Sequence, residues 1–84
     1  MQAEVLAIND QKGLFAAQTE TGKFIVFKLQ GESVVQIGDI IAGNLESLGQ
    51  IRLQNEIKKQ DFDANIQNLC ETENDVRQLL EITD

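Results

Sequence analysis

Residues 33–48, SVVQIGDIIAGNLESL, decide how the chain folds. Val34, Val35 and Ile37 lead into Gly38-Asp39, a pair of the kind that supplies a tight turn. A short apolar run follows, Ile40, Ile41 and Ala42, and ends on its own glycine, Gly43. A strand entered through a tight turn and kinked by a glycine is how a small sheet curls toward closure. The stretch therefore predicts a curved β-structure built around it.

Upstream, Lys23–Leu29 is the clearest strand. Ile25, Phe27 and Leu29 point one way, and Phe24, Val26 and Lys28 the other, so Val26 is expected to face outward and to tolerate a charge. Glu4–Ile8 and Leu14–Gln18 are weaker strands, separated by turn clusters at residues 9–13 and 19–22, and Gln30-Gly31-Glu32 breaks the third. Downstream, a turn at residues 46–49 precedes Gln50–Ile57, where Ile51, Leu53 and Ile57 alternate with polar residues. Gly13, Gly22, Gly31, Gly38 and Gly49 thus punctuate the chain near the spacing expected of an all-β barrel or sandwich, with antiparallel neighbours. No helix longer than a turn fits before residue 57.

The last third changes character. Phe62, Ala64 and Ile66 alternate with polar residues and predict one more strand. Phe62, Ile66 and Leu69 are also spaced for a helix, but the interleaved Asp and Asn residues are poor helix formers. Thr72-Glu73-Asn74-Asp75 supplies an N-cap with acids in the first turn, and Val76, Leu79 and Leu80 form an apolar stripe running to the C-terminus.

Eighty-four residues with 42% hydrophobic content make one small domain with enough apolar material for a core. No apolar run is longer than Phe24–Phe27, far short of the roughly 20 residues that span a bilayer, and the N-terminus has no basic-then-apolar signal pattern. With a single Cys there is no internal disulfide, and the expected location is the cytoplasm. Net charge is −7, unevenly spread: six cations face seven acids in residues 1–60, but one faces seven in residues 61–84. Such an acidic chain repels phosphate backbones at long range and argues against tight nucleic-acid binding.

The order turn, Lys12-Gly13-Leu14-Phe15, turn, Phe24–Leu29, then Gly38-Asp39-Ile40-Ile41-Ala42-Gly43 resembles the cold-shock domains and their relatives in the oligonucleotide-binding (OB) fold, over roughly residues 3–57. The likeness is one of pattern. That family carries a Lys-Gly-aromatic-Gly-aromatic motif on its second strand and a Val-aromatic-Val-His-aromatic motif on its third, whose outward rings stack on bases. Lys12 and Gly13 match the start of the first motif; Leu14 and Ala16 stand at its stacking positions, Val26 replaces the outward ring of the second, and Lys28 its His. Base–aromatic stacking contributes about 1–3 kcal/mol per base, so losing these platforms removes most of the family's affinity.

The expectation is a mainly β, OB-fold-like antiparallel barrel of five strands over residues 1–57, extended by a strand and a short helix in an acidic segment, 58–84, all in one domain. Without His, triads and His-based metal sites are excluded, and Cys70 alone cannot build a zinc ribbon. Glu71, Glu73 and Asp75 belong to a helix start and lack the glycine and spacing of a calcium loop. No enzyme, cofactor or metal is expected. Two binding roles remain. Lys12, Lys23, Phe24, Lys28 and Arg52 are the candidate contacts of a weak single-stranded nucleic-acid binder. Leu14, Phe24 and Val26 form a candidate face for a protein partner, as does the acidic segment. A C-terminal helix lying over that face would block the nucleotide route with an acidic lid.

Overall fold

The computed structural model describes residues 1–30 and 34–80. The chain runs β1 (Gln2–Asn9), β2 (Leu14–Thr19), β3 (Phe24–Gln30), β4 (Ile40–Ala42), β5 (Gly49–Asn55), β6 (Gln60–Cys70) and α1 (Glu73–Leu80). The expected break at Gly31-Glu32, and the end of the C-terminal stripe beyond Leu80, lie outside the described residues.

All pairings are antiparallel, and the strands close into a barrel in the order β1-β2-β3-β6-β5-β4. Two three-stranded meanders are joined so that β4 returns beside β1, a Greek-key connection. The barrel therefore has six strands, not five. Strand β6 is not an appendage: Gln60–Ile66 pairs along β5, while Asp63–Cys70 pairs along β3. Without it both β3 and β5 would present open edges to solvent, the exposure that closure removes. Bulges at Leu6 in β1 and opposite Val26/Phe27 in the β3–β6 ladder supply local twist.

Alternation sorts the side chains. Val5, Ala17, Ile25, Phe27, Ile41, Leu53, Phe62, Ala64 and Ile66 fill the barrel, with Leu45 buried among them. Phe27 sits between two other rings, stacked on Phe15 at 5.4 Å and tilted against Phe62 at 6.5 Å. Gly43, at φ 148°, brings the chain so close to β5 that an added Cβ would lie 2.6 Å from the Leu53 side chain. Only glycine fits there. Strand β5 ends at Asn55, so Ile57 belongs to the following turn and is exposed rather than aligned with Ile51 and Leu53.

A second apolar cluster lies outside the barrel wall. Helix α1, capped by Thr72 Oγ1 accepting from the Asp75 amide at 3.3 Å, lays Val76 and Leu80 on Ala16, Val26 and Cys70. Asn9 Nδ2 donates to the Leu80 carbonyl and ties the end of the helix to β1. Val26 does point away from the barrel interior, as the alternation requires. It is nevertheless only 1% exposed, because α1 covers it, and the expectation of a tolerant outward position is corrected.

Two polar side chains, Asp39 and Asn55, are buried together where the barrel closes. Asp39 Oδ2 accepts from the Gln36 amide (2.9 Å), Asn55 Nδ2 (2.8 Å) and Lys58 Nζ (2.8 Å). Asn55 Oδ1 in turn accepts from the amides of Ile57 and Lys58, both at 3.0 Å, and shapes the β5–β6 turn. Burial alone would raise the Asp39 carboxyl. The hydrogen bonds from Lys58, Gln36 and Asn55, together with the Lys58 charge, outweigh it and hold the group below its ordinary value of 3.8.

Two outcomes follow for stability. Ile25→Asp, Phe27→Asp and Val26→Asp should each cost several kcal/mol, a large share of a total of about 5–15 kcal/mol, and denaturant titration measures it. A near-native midpoint for Val26→Asp would contradict its burial. Because the Asp39 carboxyl is depressed, its stabilisation is complete above about pH 4 and is lost as pH falls through the lower folded value. Asp39→Ala should therefore cost about 3 kcal/mol at pH 7, leaving the Gln36 amide and Asn55 Nδ2 without their acceptor, and less in acid. A cost independent of pH would refute that role.

Candidate functional site

The structure scatters the candidate cations. Lys12 lies in the β1–β2 turn, where its amide donates to Asn9 Oδ1, and Lys23 in the β2–β3 turn at the other end of the barrel. Lys28 and Arg52 project from the wall formed by β3, β6 and β5: Lys28 stands opposite Asn65, and Arg52 opposite Asp63. Only these two of the four candidates stand on strands.

The apolar candidates do come together, but beneath the chain's own helix. Leu14 and Phe24 are half-buried and Val26 is fully buried against the α1 cluster, so they form no open face. Ala16 is covered as well. Helix α1 thus occupies the surface that the cold-shock likeness would assign to bases, and it brings Glu73 and Asp75 in its first turn. Glu73 also pairs with Arg77 one turn on, at 3.2 Å.

Exposed aliphatic side chains gather at the barrel ends. At one end, the β3–β4 connection and the β5–β6 turn expose Val34 (59%), Ile37 (65%) and Ile57 (60%) around Lys58, which also donates to the Val34 carbonyl at 3.3 Å. At the other, the β2–β3 turn, the β4–β5 loop and the end of β6 enclose a pocket of about 280 Å³. Its inner surface is apolar, from Phe24, Ile25, Leu69 and Cys70, and Glu46, Glu71 and Lys23 stand around it with Thr19. Leu48 (62% exposed) belongs to the same β4–β5 loop as Glu46. Thr19, itself buried, is satisfied by Thr21 Oγ1 at 2.9 Å and by the Lys23 amide. A shallower groove on the other side of Thr19 is lined by Glu4 and Glu20.

Sequence reading missed the pocket residues Glu46, Leu69 and Glu71, which come from segments more than 20 residues apart. No local spacing announces them: the β5–β6 ladder, pairing Gly49 with Ile66, sets the Glu46 loop beside the end of β6, and the β3–β6 ladder pairs Phe24 with Cys70. Among the described residues, no three His, Cys, Asp or Glu side chains converge in a way that could hold a metal ion. No described helix is long and apolar enough to cross a membrane.

No family model, no curated protein and no solved structure matches this chain.

The thiol can be assigned a character. Burial pushes Cys70 above its ordinary value, and the Asp75 charge pushes it further, so the reactive thiolate is disfavoured. Native protein should react slowly with a thiol reagent at pH 8 and rapidly once denatured. Equal rates in the two states, followed by mass, would mean that α1 does not shield the sulfur.

Proposed function

We propose that the chain is a non-enzymatic polypeptide-binding module that works through the ends of its barrel. The observation carrying this reading is where large aliphatic side chains stay in solvent. Among the described residues, Val34, Ile37, Leu48 and Ile57 lie in the end loops, Met1 and Leu69 sit beside an end, Leu69 in the last pairs of β6, and Leu6 lies at a bulge in the wall. The rest of the wall is polar, as along β5 and β6, or sealed by α1. Apolar side chains held out on a closed barrel are what a partner surface needs. A cytoplasmic setting suits the lone reduced thiol.

The second reading, weak binding of single-stranded nucleic acid, keeps one specific support. Lys28, opposite Asn65, and Arg52, opposite Asp63, stand on the wall formed by β3, β6 and β5. Asp63 beside Arg52 and the overall charge oppose it. The OB-fold kinship suggested by the sequence pattern belongs to this reading.

Photo-crosslinking in the producing cells separates the two. A crosslinker at position 37 or 48 should give discrete protein adducts, and one at Gln50 on the wall should give none. Absence of adducts from both ends would end the module reading. Salt-sensitive amide shifts at Lys28 and Arg52 with a short mixed oligonucleotide would favour the second.

A further inference from the structure

We propose that the pocket between the β2–β3 turn, the β4–β5 loop and the β6–α1 junction receives a basic side chain, arginine or lysine, from a polypeptide partner. The proposal rests on the interaction-module reading and names which end is used and by what chemistry.

The pocket has the two-part character that a long cationic side chain requires. Its inner surface is apolar and lies where the two apolar clusters meet: Ile25 belongs to the barrel core, and Phe24 and Cys70 to the cluster under α1. Leu69, 46% exposed, extends that surface outward. An aliphatic stem laid along these groups removes apolar area from water, while the charged head stays near the mouth. There, Glu46 and Glu71 come from different segments and both are exposed. A guanidinium or ammonium between two carboxylates makes charge-assisted hydrogen bonds, which are shorter and stronger than neutral ones.

The surroundings carry the same sign. Glu4 and Glu20 line the adjoining groove across Thr19, so four carboxylates from four segments surround this end, with Lys23 as the cation among the residues lining the two openings. Within a chain of net charge −7, such an end draws cationic partners and repels both phosphate backbones and a second copy of itself. The opposite end, with Val34, Ile37 and Ile57 around Lys58 and with Lys59 in the same turn, has no such bias.

Amide NMR titration of the intact chain with an arginine-rich octapeptide at low salt tests this, with octaglutamate and spermidine as controls. Shifts should centre on Thr19, Phe24, Glu46, Leu69 and Glu71 and weaken as salt rises. Glu46→Gln with Glu71→Gln should weaken binding at least tenfold without altering the remaining spectrum, and Lys23→Gln should tighten it. Equal binding by the double variant, or shifts confined to Glu73 and Asp75 on α1, would overturn the pocket. Spermidine matching the peptide in affinity would overturn a polypeptide occupant. Shifts at Val34, Ile37 and Ile57 instead would overturn the assignment to this end and leave the module reading standing. No shift at millimolar peptide would overturn the pocket alone, since crosslinking decides the module independently.

Discussion

Three residues of β4 close the barrel, and the Asp39 carboxylate just before them fixes where they lie. On one side the backbone of the Gly38-Asp39 turn bonds to Val5 in β1, with Asp39 accepting from the Val5 amide at 2.9 Å and Gly38 donating to the Val5 carbonyl at 2.8 Å. On the other, the Asp39 side chain reaches Asn55 and Lys58 at the far end of β5. One residue thus grips both neighbours of the shortest strand. Three ladder pairs with β1 and two with β5 are a slender seam, and a charged hydrogen-bond acceptor with three donors supplies much of its definition. A buried carboxylate left without these donors would be strongly unfavourable, so the register in which all three are present is favoured over slipped alternatives.

Much of this architecture was legible in residues 33–48. The Gly38-Asp39 turn, the strand over Ile40–Ala42 and the special place of Gly43 are all present, and strand periodicity in Lys23–Leu29 put Ile25 and Phe27 on the barrel side. The strand over Phe62–Ile66 was legible too, but not its rank. Alternation says that a segment is a strand without saying which neighbours it joins, and β6 joins not only β5, its neighbour in sequence, but also β3 far upstream. Its local sequence marks Asp39 only as a turn former. Its partners lie 16 and 19 residues away, and neither Asn55 nor Lys58 carries a local mark of pairing with a carboxylate.

The site was harder to read for the same reason. The stripe Val76, Leu79 and Leu80 states that α1 must cover something, and it left open what that would be. Once α1 lies on Ala16 and Val26, the face expected to bind partners becomes interior and the loops inherit the exposed aliphatic groups. The described acids of this segment then divide into two sets: Asp61 and Asp63 lie on the β6 wall, while Glu71, Glu73 and Asp75 sit around the start of the helix. Charge totals for a segment cannot separate such sets, and ladder register does.

Strand β3 is enclosed on both sides, by the barrel interior at Ile25 and Phe27 and by α1 at Phe24 and Val26. Its apolar run at residues 24–27 therefore serves two separate packing problems at once, as strands in the middle layer of larger proteins do. Strand β5, with Gln50, Arg52 and Gln54 in water, has one whole side free to drift. Among descendants of this chain, change should accumulate along the wet side of β5 and be nearly absent from the first four residues of β3.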